Sequence, residues 1–428
     1  MLLFFGAPLL TLVLATPLLF LCFTMSENHP NTPQNADACS LDYSNPAAAA
    51  TSSCAQVCEK IDEALAKQGS ISFPAFLDIS LYDPDHGYYA KNTNQVGREG
   101  DFYTSVSVGP LFGQLLARRF IRWWLDQGKP SAWRILEIGA HDGKLAADIL
   151  QTIANLAPDA WQSLEYATVE PLPLLRDAQQ QRLSPLATKL HLADDFQTLS
   201  NHPLPGIAFG NEILDALPFH LIRRVENEWQ ELHVSANWEL IAKPIAPTSA
   251  LGLKTTRLEN NFPENYQTEI RTNYREFLNQ ISNCISDGLL LFIDYGFAAP
   301  EYYNTHRTRG TLRTFSKHQA AEDPLDSPGT RDITAHVDFT DLAREAETLH
   351  WHPTHFSNQG SYLTHLSTEM IQSDEMNDPK TIAQFRSLTH PAHLGASFHV
   401  IEFEKSKEPS AQVLHRLALG VKNFNRNA

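Results

Sequence analysis

The spacing of apolar positions changes near residue 131, and the change separates two kinds of pattern along the chain. Before this point, apolar residues recur every three or four positions, as on one face of a helix. The spacing predicts helices over 55–68, 72–82 and 110–126. Ser72 stands at the start of the second helix and is its predicted N-cap.

From residue 134 onward, short apolar runs alternate with amphipathic segments of helical period. This alternation predicts a parallel sheet covered by helices on both faces, the α/β class. Alternating runs over about 219–245 predict an antiparallel β insertion, and a strand over 397–403 is predicted to close the sheet. A helix over 264–284 is predicted to lead back to the sheet. The main strands are predicted over 134–138, 166–170, 189–193, 206–211 and 288–294.

The remaining segments lie outside the predicted strands and helices of this core. Residues 298–333 are long and loop-rich, which favours a functional lid over a simple connector. His336 and Asp338 lie two residues apart before a helical run, a position that favours loop fixing or helix capping over metal binding. No metal is predicted. The predicted segments are an apolar segment 1–24, a disordered lead-in 25–54, an N-terminal helical region 55–130, the core 131–405 with lid loops over about 298–390, and a tail 406–428.

Composition narrows the class of ligand. The 428 residues carry 49 acidic and 33 basic side chains, a net charge of −16. Phosphate contacts need a basic face, so nucleic acid is not expected as a partner. The cysteines form no Cys-x-x-Cys pair and no Cys/His quartet, which argues against a zinc site and against a disulfide framework. A reducing compartment is therefore expected, and the predicted location is cytoplasmic.

The first 24 residues are apolar and uncharged, and are long enough to span a bilayer. They lack the positive residues that open a secretory signal. Two interpretations stay open. Residues 1–24 form a signal or membrane anchor, or translation begins at Met25, where the sequence becomes polar. Contact with a membrane is expected only if 1–24 are retained.

The most informative motif is the run 134–143, a predicted buried strand that ends in a glycine turn and opens a helix. In such a turn the backbone can approach a ligand at the mouth of an α/β sheet. The next strand ends in Glu170, a position from which a carboxylate can grip two ribose hydroxyls. No Gly-x-x-x-x-Gly-Lys-Ser/Thr run is present, and His141 and Lys144 stand where small residues admit a pyrophosphate. S-adenosyl-L-methionine, which needs no phosphate cradle, fits better than a nucleotide.

A second constellation follows the strand at 206–211. Asn211, Glu212 and Asp215 are predicted at the carboxyl edge of the sheet, where α/β proteins bind ligands. The alternative is that Asp215 caps a short helix and that Glu212 is solvated. Asp294 ends a later strand and either faces the site or bonds a neighbouring backbone, and Asp101 lies in a loop where turn formation alone would explain it.

Together these segments resemble the MidA-like family of S-adenosylmethionine-dependent methyltransferases, over about residues 56–404. The resemblance implies a class I methyltransferase core, a Rossmann-like and mostly parallel sheet with helices on both faces, plus an added cap. Mitochondrial members of that family act on an arginine of a respiratory complex I subunit. The runs that carry the resemblance are 72–89, 100–105, 111–113, 137–139, 210–218, 293–296, 310–313, 323–325, 334–339 and 358–360.

The resemblance implies methyl transfer from S-adenosyl-L-methionine to a protein, with arginine as the expected acceptor. The family is richer in glycine where this chain has His141, which is expected either to contact the cofactor or to narrow its pocket. The alternatives are a small-molecule or other protein methyltransferase, and a non-catalytic assembly protein of the same fold. The expected catalytic residues are Glu212 and Asp215, with Asp101 and Asp294 in reserve, and the expected cofactor-binding residues are Glu137, Gly139, His141, Gly143, Glu170, Asp194, Asp195 and Asn211.

Overall fold

The computed structural model describes residues 46–91, 104–187, 189–258, 261–316, 319–321, 323–373 and 375–419. Asp101 and the apolar segment 1–24 lie outside the described residues. The strands are β1 Ser70–Ser72, β2 Trp133–Ile138, β3 Leu164–Val169, β4 Leu190–Ala193, β5 Leu204–Asn211, β6 His220–Val225, β7 Glu228–Ser235, β8 Leu240–Pro244, β9 Gln267–Ile270, β10 Ile285–Phe297, β11 Arg313–Ser316, β12 Gln319–Ala321, β13 Asp332–Thr334, β14 Val337–Asp338, β15 His352–Asn358 and β16 Phe398–Glu404.

Helices follow or connect most of these strands. The helices are α1 Pro46–Gln68, α2 Phe73–Tyr82, α3 Tyr88–Lys91, α4 Ser105–Val108, α5 Leu111–Asp126, α6 Lys144–Leu156, α7 Pro158–Ser163, α8 Pro173–Leu183, α9 Gln197–Ser200, α10 Ala250–Thr255, α11 Tyr274–Cys284, α12 Ala299–Tyr302, α13 Phe339–Glu347, α14 Gln359–Leu366, α15 Thr368–Gln372, α16 Pro379–Thr389 and α17 Ala411–Arg416. Within the described ranges, none of the helices has the length and apolar character needed to cross a bilayer.

The central sheet has the order β15-β16-β10-β5-β2-β3-β4, with β14 paired to β10. Strands β4, β3, β2, β5 and β10 are parallel, and β16 runs antiparallel between β10 and β15. Each main strand predicted from the sequence is present, and so is the closing strand. The α/β prediction is therefore confirmed, because helix-covered parallel strands are buried on both faces and appear in sequence as continuous apolar runs.

Two apolar cores cover the two faces of this sheet. On one face, α5 and α6 pack through side chains such as Phe120 and Ile149, both fully buried. On the other face, α11 and α13 pack through Phe277 and Leu342. All six side chains of β2 are buried, so its carboxyl end can place the following turn rigidly at the sheet edge.

The cap is a second sheet of β1 and β6–β9, antiparallel throughout. The predicted β insertion is thus confirmed. The predicted helix over 264–284 is wrong in its first half, where β9 pairs with β6 before α11 begins at Tyr274. Pairing to β6 decides the conformation there, because it satisfies the backbone of an alternating segment that is too short to bury a helical face.

Helix α2 packs its apolar face on the cap sheet, with the rings of Phe73 and Phe219 5.6 Å apart. Helix α1 begins at Pro46, so the disordered lead-in predicted over 25–54 is wrong from Pro46 onward. Proline at the first helical position and the alanines after it favour the helix there. The described part of residues 298–333 contains α12 and a three-stranded sheet of β11–β13, so it is not all loop.

Candidate functional site

The turn between β2 and α6 is built on two glycines in left-handed conformation. Gly139 has φ 70° and Gly143 has φ 77°. A Cβ on Gly139 would lie 2.8 Å from Ile213 Cγ2, and one on Gly143 would lie 3.3 Å from Leu183 Cγ. The amide of Gly143 donates to Ala140 O at 2.8 Å and closes the turn. Both glycines are therefore required by backbone conformation and by close approach.

His141 occupies the middle of this turn with φ 48°, a conformation that residues with a Cβ rarely adopt. Gln179 Nε2 donates to His141 O at 2.7 Å, and the hydroxyl of Thr168 donates to Gln179 Oε1 at 2.7 Å. Gln179 is fully buried on α8. Gln179 was not among the residues predicted from the sequence, although a polar residue on the inner face of the helix after Glu170 was an available signal.

Glu170 follows β3 and points into the interior beside the turn. Its side chain accepts from Leu172 N at 3.1 Å, and its own amide donates to Ala193 O at 2.9 Å. Burial raises the pKa of Glu170 to about 7, against the lowering effects of the Leu172 amide, His141 and Arg176. A buried carboxyl with spare acceptor capacity at this position suits hydroxyl groups of a ligand.

Glu137 lies on β2 and is almost completely buried. The hydroxyl of Tyr166 on β3 donates to Glu137 Oε2 at 2.6 Å. Burial raises the pKa of Glu137 to about 7, although the Tyr166 hydrogen bond opposes the rise. Glu137 therefore lies two residues before Gly139, with one carboxylate oxygen engaged by Tyr166.

Asp194 and Asp195 follow β4, at the same edge of the sheet as Glu170. Asp195 Oδ1 accepts from Gln197 N at 2.9 Å, so this carboxylate caps the start of α9. Asp194 is exposed. Of the two, Asp194 is the side chain that stays accessible to a ligand at this edge.

The loop after β5 holds the second group of polar residues. Glu212 has φ 55°, and its amide donates to Ile293 O at 2.8 Å, which fixes the loop to β10. Asn211 Nδ2 donates to Glu212 Oε1 at 3.0 Å, while Asn211 Oδ1 is buried with no hydrogen-bond partner among the described residues. Burial, and then repulsion from Asp215, raise the pKa of Glu212 to about 8.

Asp294 is fully buried and holds this loop from below. Its Oδ2 accepts from the amides of Ile213 at 3.0 Å and Leu214 at 2.7 Å, and its Oδ1 accepts from Tyr295 N at 2.8 Å. Burial, and then repulsion from Asp215, raise the pKa of Asp294 well above its usual range. Of the two roles left open by the sequence, bonding to backbone is the one observed, so we regard Asp294 as a positioning residue.

Asp215 lies in a turn, so its predicted alternative role as a helix cap is wrong. The backbone around it is held by Arg271, which donates to Asp215 O at 2.6 Å, to Leu217 O at 3.0 Å and to Ala335 O at 2.7 Å. Burial raises the pKa of the Asp215 carboxyl to about 6, and the Arg271 charge opposes that rise. Arg271 could not be predicted from the sequence, because its partners are carbonyl groups distant in sequence.

Two further sides of the site are formed by α2 and by Tyr295 with His336. No pattern in the sequence indicated that these segments line the site. Helix α2 contributes Asp78 and Tyr82, and the Tyr82 hydroxyl donates to Ala216 O at 2.6 Å. Burial raises the pKa of Asp78 to about 7. On the other side Tyr295 is half-buried, its ring 6.2 Å from that of His336. Their spacing along the chain could not have shown that they meet.

These residues fit S-adenosyl-L-methionine. The glycine turn leaves space that any side chain at Gly139 would fill. Beside it lie unsatisfied polar groups, namely the buried Nε2 of His141 and Oδ1 of Asn211, and the Glu170 carboxyl. The Glu170 carboxyl suits the ribose hydroxyls. The turn at 139–143 itself contains no lysine or arginine to bind a phosphate.

Comparison with known proteins gives the same result. The profile of a family of S-adenosyl-L-methionine-dependent methyltransferases matches residues 115–357. A crystal structure from Burkholderia thailandensis with bound S-adenosyl-homocysteine is 28% identical, has a TM-score of 0.74, and aligns over 87% of this chain and 97% of that one. It shares the fold of this chain, and its bound ligand is the product that remains of the cofactor after methyl transfer.

Two curated relatives match over most of their own length and of this chain. The mitochondrial protein arginine methyltransferase NDUFAF7 of Rattus norvegicus is 27% identical over 369 residues, covering 77% of this chain and 80% of the relative. The homolog from Drosophila melanogaster, with the same name and location, is 26% identical over 374 residues with the same coverage. The similarity therefore extends well beyond the cofactor-binding motif.

Proposed function

This chain belongs to a family of S-adenosyl-L-methionine-dependent methyltransferases, and we propose that it methylates an arginine side chain of a protein. The observation that carries the proposal is the carboxyl pair after β5. Glu212 and Asp215 are half-buried. Desolvation raises the pKa of both, and the negative charge of Asp215 raises that of Glu212 further. A cationic guanidinium would relieve that repulsion and offer several N–H donors to the carboxylates.

The charges around the pair support a cationic substrate. The positive charge of Arg271 opposes the rise in the pKa of Asp215. The Arg271 guanidinium donates to backbone carbonyl groups, which hold it in place. Asp78 adds a further carboxyl from α2. The site therefore has acidic groups available to a ligand while its nearest cation is already engaged. The names of the relatives in rat and fruit fly, both protein arginine methyltransferases, favour the same substrate class.

When bound, the cofactor supplies a methyl group attached to a sulfonium. The methyl carbon is the electrophile, and the sulfur becomes a neutral thioether when it leaves. Glu212 accepts hydrogen bonds from the guanidinium and orients one nitrogen lone pair toward the methyl carbon. Transfer would form an N–C bond as the S–C bond breaks, and the electron pair of the S–C bond would stay on sulfur. Glu212 then accepts the proton that the methylated nitrogen loses, and Asp215 stabilises the cation beside it.

The test is transfer of labelled methyl from S-adenosyl-L-methionine to host proteins, with the acceptor residue identified by mass spectrometry. Wild type should label arginine, and Glu212→Gln should not, while both bind S-adenosyl-homocysteine alike. Asp177→Asn, on the exposed face of α8, is the matched control and should behave as wild type. Label on another residue type, or on a small molecule, would contradict the proposal and favour the alternative methyltransferases.

The absence of a disulfide framework predicts a reducing compartment, and the cytoplasmic location that follows from it stays a prediction. The relatives from rat and fruit fly are named mitochondrial, and that location belongs to those proteins. Fractionation of host cells, with detection of the endogenous chain, tests the prediction. Recovery in the membrane fraction would instead favour a role for residues 1–24 as an anchor.

A further inference from the structure

His141 is held in a strained conformation at the centre of the cofactor turn. Its φ of 48° lies in the left-handed region that favours glycine. The surrounding structure fixes it there, through the Gln179 hydrogen bond to its carbonyl at 2.7 Å and the closing bond from Gly143 N to Ala140 O at 2.8 Å. Strain that the surroundings maintain at a ligand site points to a function for the side chain.

The imidazole itself is incompletely satisfied. Its Nε2 is buried and has no hydrogen-bond partner within the described ranges. Its Nδ1 lies 3.8 Å from Asp142 Oδ1, and Asp142 is in turn fixed by Arg182 Nη2 at 2.7 Å. A carboxylate at that side favours the proton on Nδ1, which leaves Nε2 as an acceptor.

Glu170 faces the same space from the end of the neighbouring strand. Strands β2 and β3 are parallel neighbours, with Ile138 paired to Val169, so the turn that carries His141 and the residue Glu170 follow adjacent strand ends. Glu170 receives a backbone hydrogen bond from Leu172 N at 3.1 Å and keeps acceptor capacity beyond it. Two acceptors, one after each of two adjacent strands, therefore lie at the same edge of the sheet, where a nucleoside would bind.

We propose that His141 is a cofactor-recognition residue, with Nε2 accepting a hydrogen bond from one ribose hydroxyl while Glu170 accepts from the other. A vicinal diol has two O–H donors and so matches two acceptors. The ligand class is an adenosyl nucleoside with both hydroxyls intact. The proposal concerns the cofactor alone and does not depend on which substrate is methylated.

The test compares the stability of the ligand-free protein with its affinity for S-adenosyl-homocysteine. His141→Gly relieves the backbone strain, so its melting temperature should equal or exceed that of wild type. Its affinity for S-adenosyl-homocysteine should nevertheless fall about tenfold, as expected for one lost hydrogen bond. His141→Asn tolerates the same backbone conformation but lacks the ring nitrogen, and should lose affinity similarly.

His350→Gly is the matched control. His350 has φ 63° and is exposed in the turn after α13, away from the cofactor turn. Its replacement relieves comparable strain and should leave affinity unchanged. Removal of both ribose hydroxyls from S-adenosyl-homocysteine should weaken binding to wild type more than binding to His141→Gly.

Two results would overturn the proposal. One is a His141→Gly protein that binds S-adenosyl-homocysteine as tightly as wild type, or more tightly, which would mean that His141 only narrows the pocket. The other is an equal loss of affinity for the dideoxy analogue in both proteins, which would remove His141 from contact with the hydroxyls.

Discussion

Ile213 Cγ2 lies 2.8 Å from the point where a side chain on Gly139 would begin. The first residue belongs to the loop that carries Glu212, and the second to the turn that we assign to the cofactor. The two loops thus close on each other with no room for a methyl group between them. We therefore expect cofactor binding and the placement of the candidate catalytic residues to depend on the same contact.

Replacing Gly139 by alanine should therefore damage cofactor binding. The new methyl must push Ile213 and the Glu212 loop aside, so we expect affinity for S-adenosyl-homocysteine to fall at least about tenfold. Gly69→Ala is the control, because Gly69 has φ 74° with nothing within 4 Å of the added Cβ. Both variants should lose about 1 kcal/mol of stability from the left-handed backbone, measured by thermal unfolding. Unaltered affinity in Gly139→Ala would refute the proposed role of this contact.

The pH dependence of methylation should report the ionisation of Glu212. Its raised pKa, about 8, means that the carboxylate needed for guanidinium binding is mostly protonated at neutral pH. We expect kcat/KM to rise with pH and to level off above 8. A rate that does not change between pH 7 and 9 would contradict an ionised Glu212. Asp177→Asn should keep the wild-type profile.

Stability should depend on pH through Glu137. Its pKa is raised by burial from 4.5 to about 7, so the folded state binds more protons than the unfolded state between those values. The free energy of unfolding should therefore fall as pH rises through this window. Glu137→Gln removes the effect and should be more stable than wild type at pH 8, by up to about 3 kcal/mol, with a difference that vanishes toward pH 4.5.

Urea denaturation at both pH values measures this difference. Glu59→Gln, on the exposed side of α1, is the control and should follow the wild-type pH dependence. If Glu137→Gln were less stable than wild type at pH 8, the Tyr166 hydrogen bond to the carboxylate would outweigh the burial of its charge.

Asp294 should matter for stability and for the catalytic loop together. Asp294→Ala leaves the amides of Ile213 and Leu214 without their acceptor, and should cost about 3 kcal/mol in the free energy of unfolding. Methylation should fall as well, since Glu212 loses its support. Asp177→Ala is the surface control. A loss below about 0.5 kcal/mol would show that the loop holds its shape without Asp294.

The strands of the central sheet could be predicted because each is a continuous apolar run. The glycine turn could be predicted because Gly139 and Gly143 stand at its two ends. The order in which the strands pair could not be predicted, since the position of β16 between β10 and β15 depends on contacts between residues far apart in sequence. The segment before α11 was predicted as part of a helix, and it is a strand because it pairs with β6.

Within the site, the sequence indicated which carboxyls stand at strand ends but not what each contacts. Asp195 and Asp294 occupy the predicted edge and are engaged by backbone amides. Arg271 and Gln179 organise the two loops through carbonyl groups, which leave no pattern in the sequence. His141 was conspicuous as a non-glycine in a glycine turn, and the structure adds the strained backbone and the unpaired Nε2.

The most direct test of this account is calorimetric titration of S-adenosyl-homocysteine into the full chain, with Glu170→Ala in parallel. We predict micromolar binding at one site per chain for wild type, and a large loss of affinity in the variant. Absence of binding up to millimolar ligand, in a sample that unfolds cooperatively, would contradict the assignment of the turn at 139–143 and Glu170 to the cofactor.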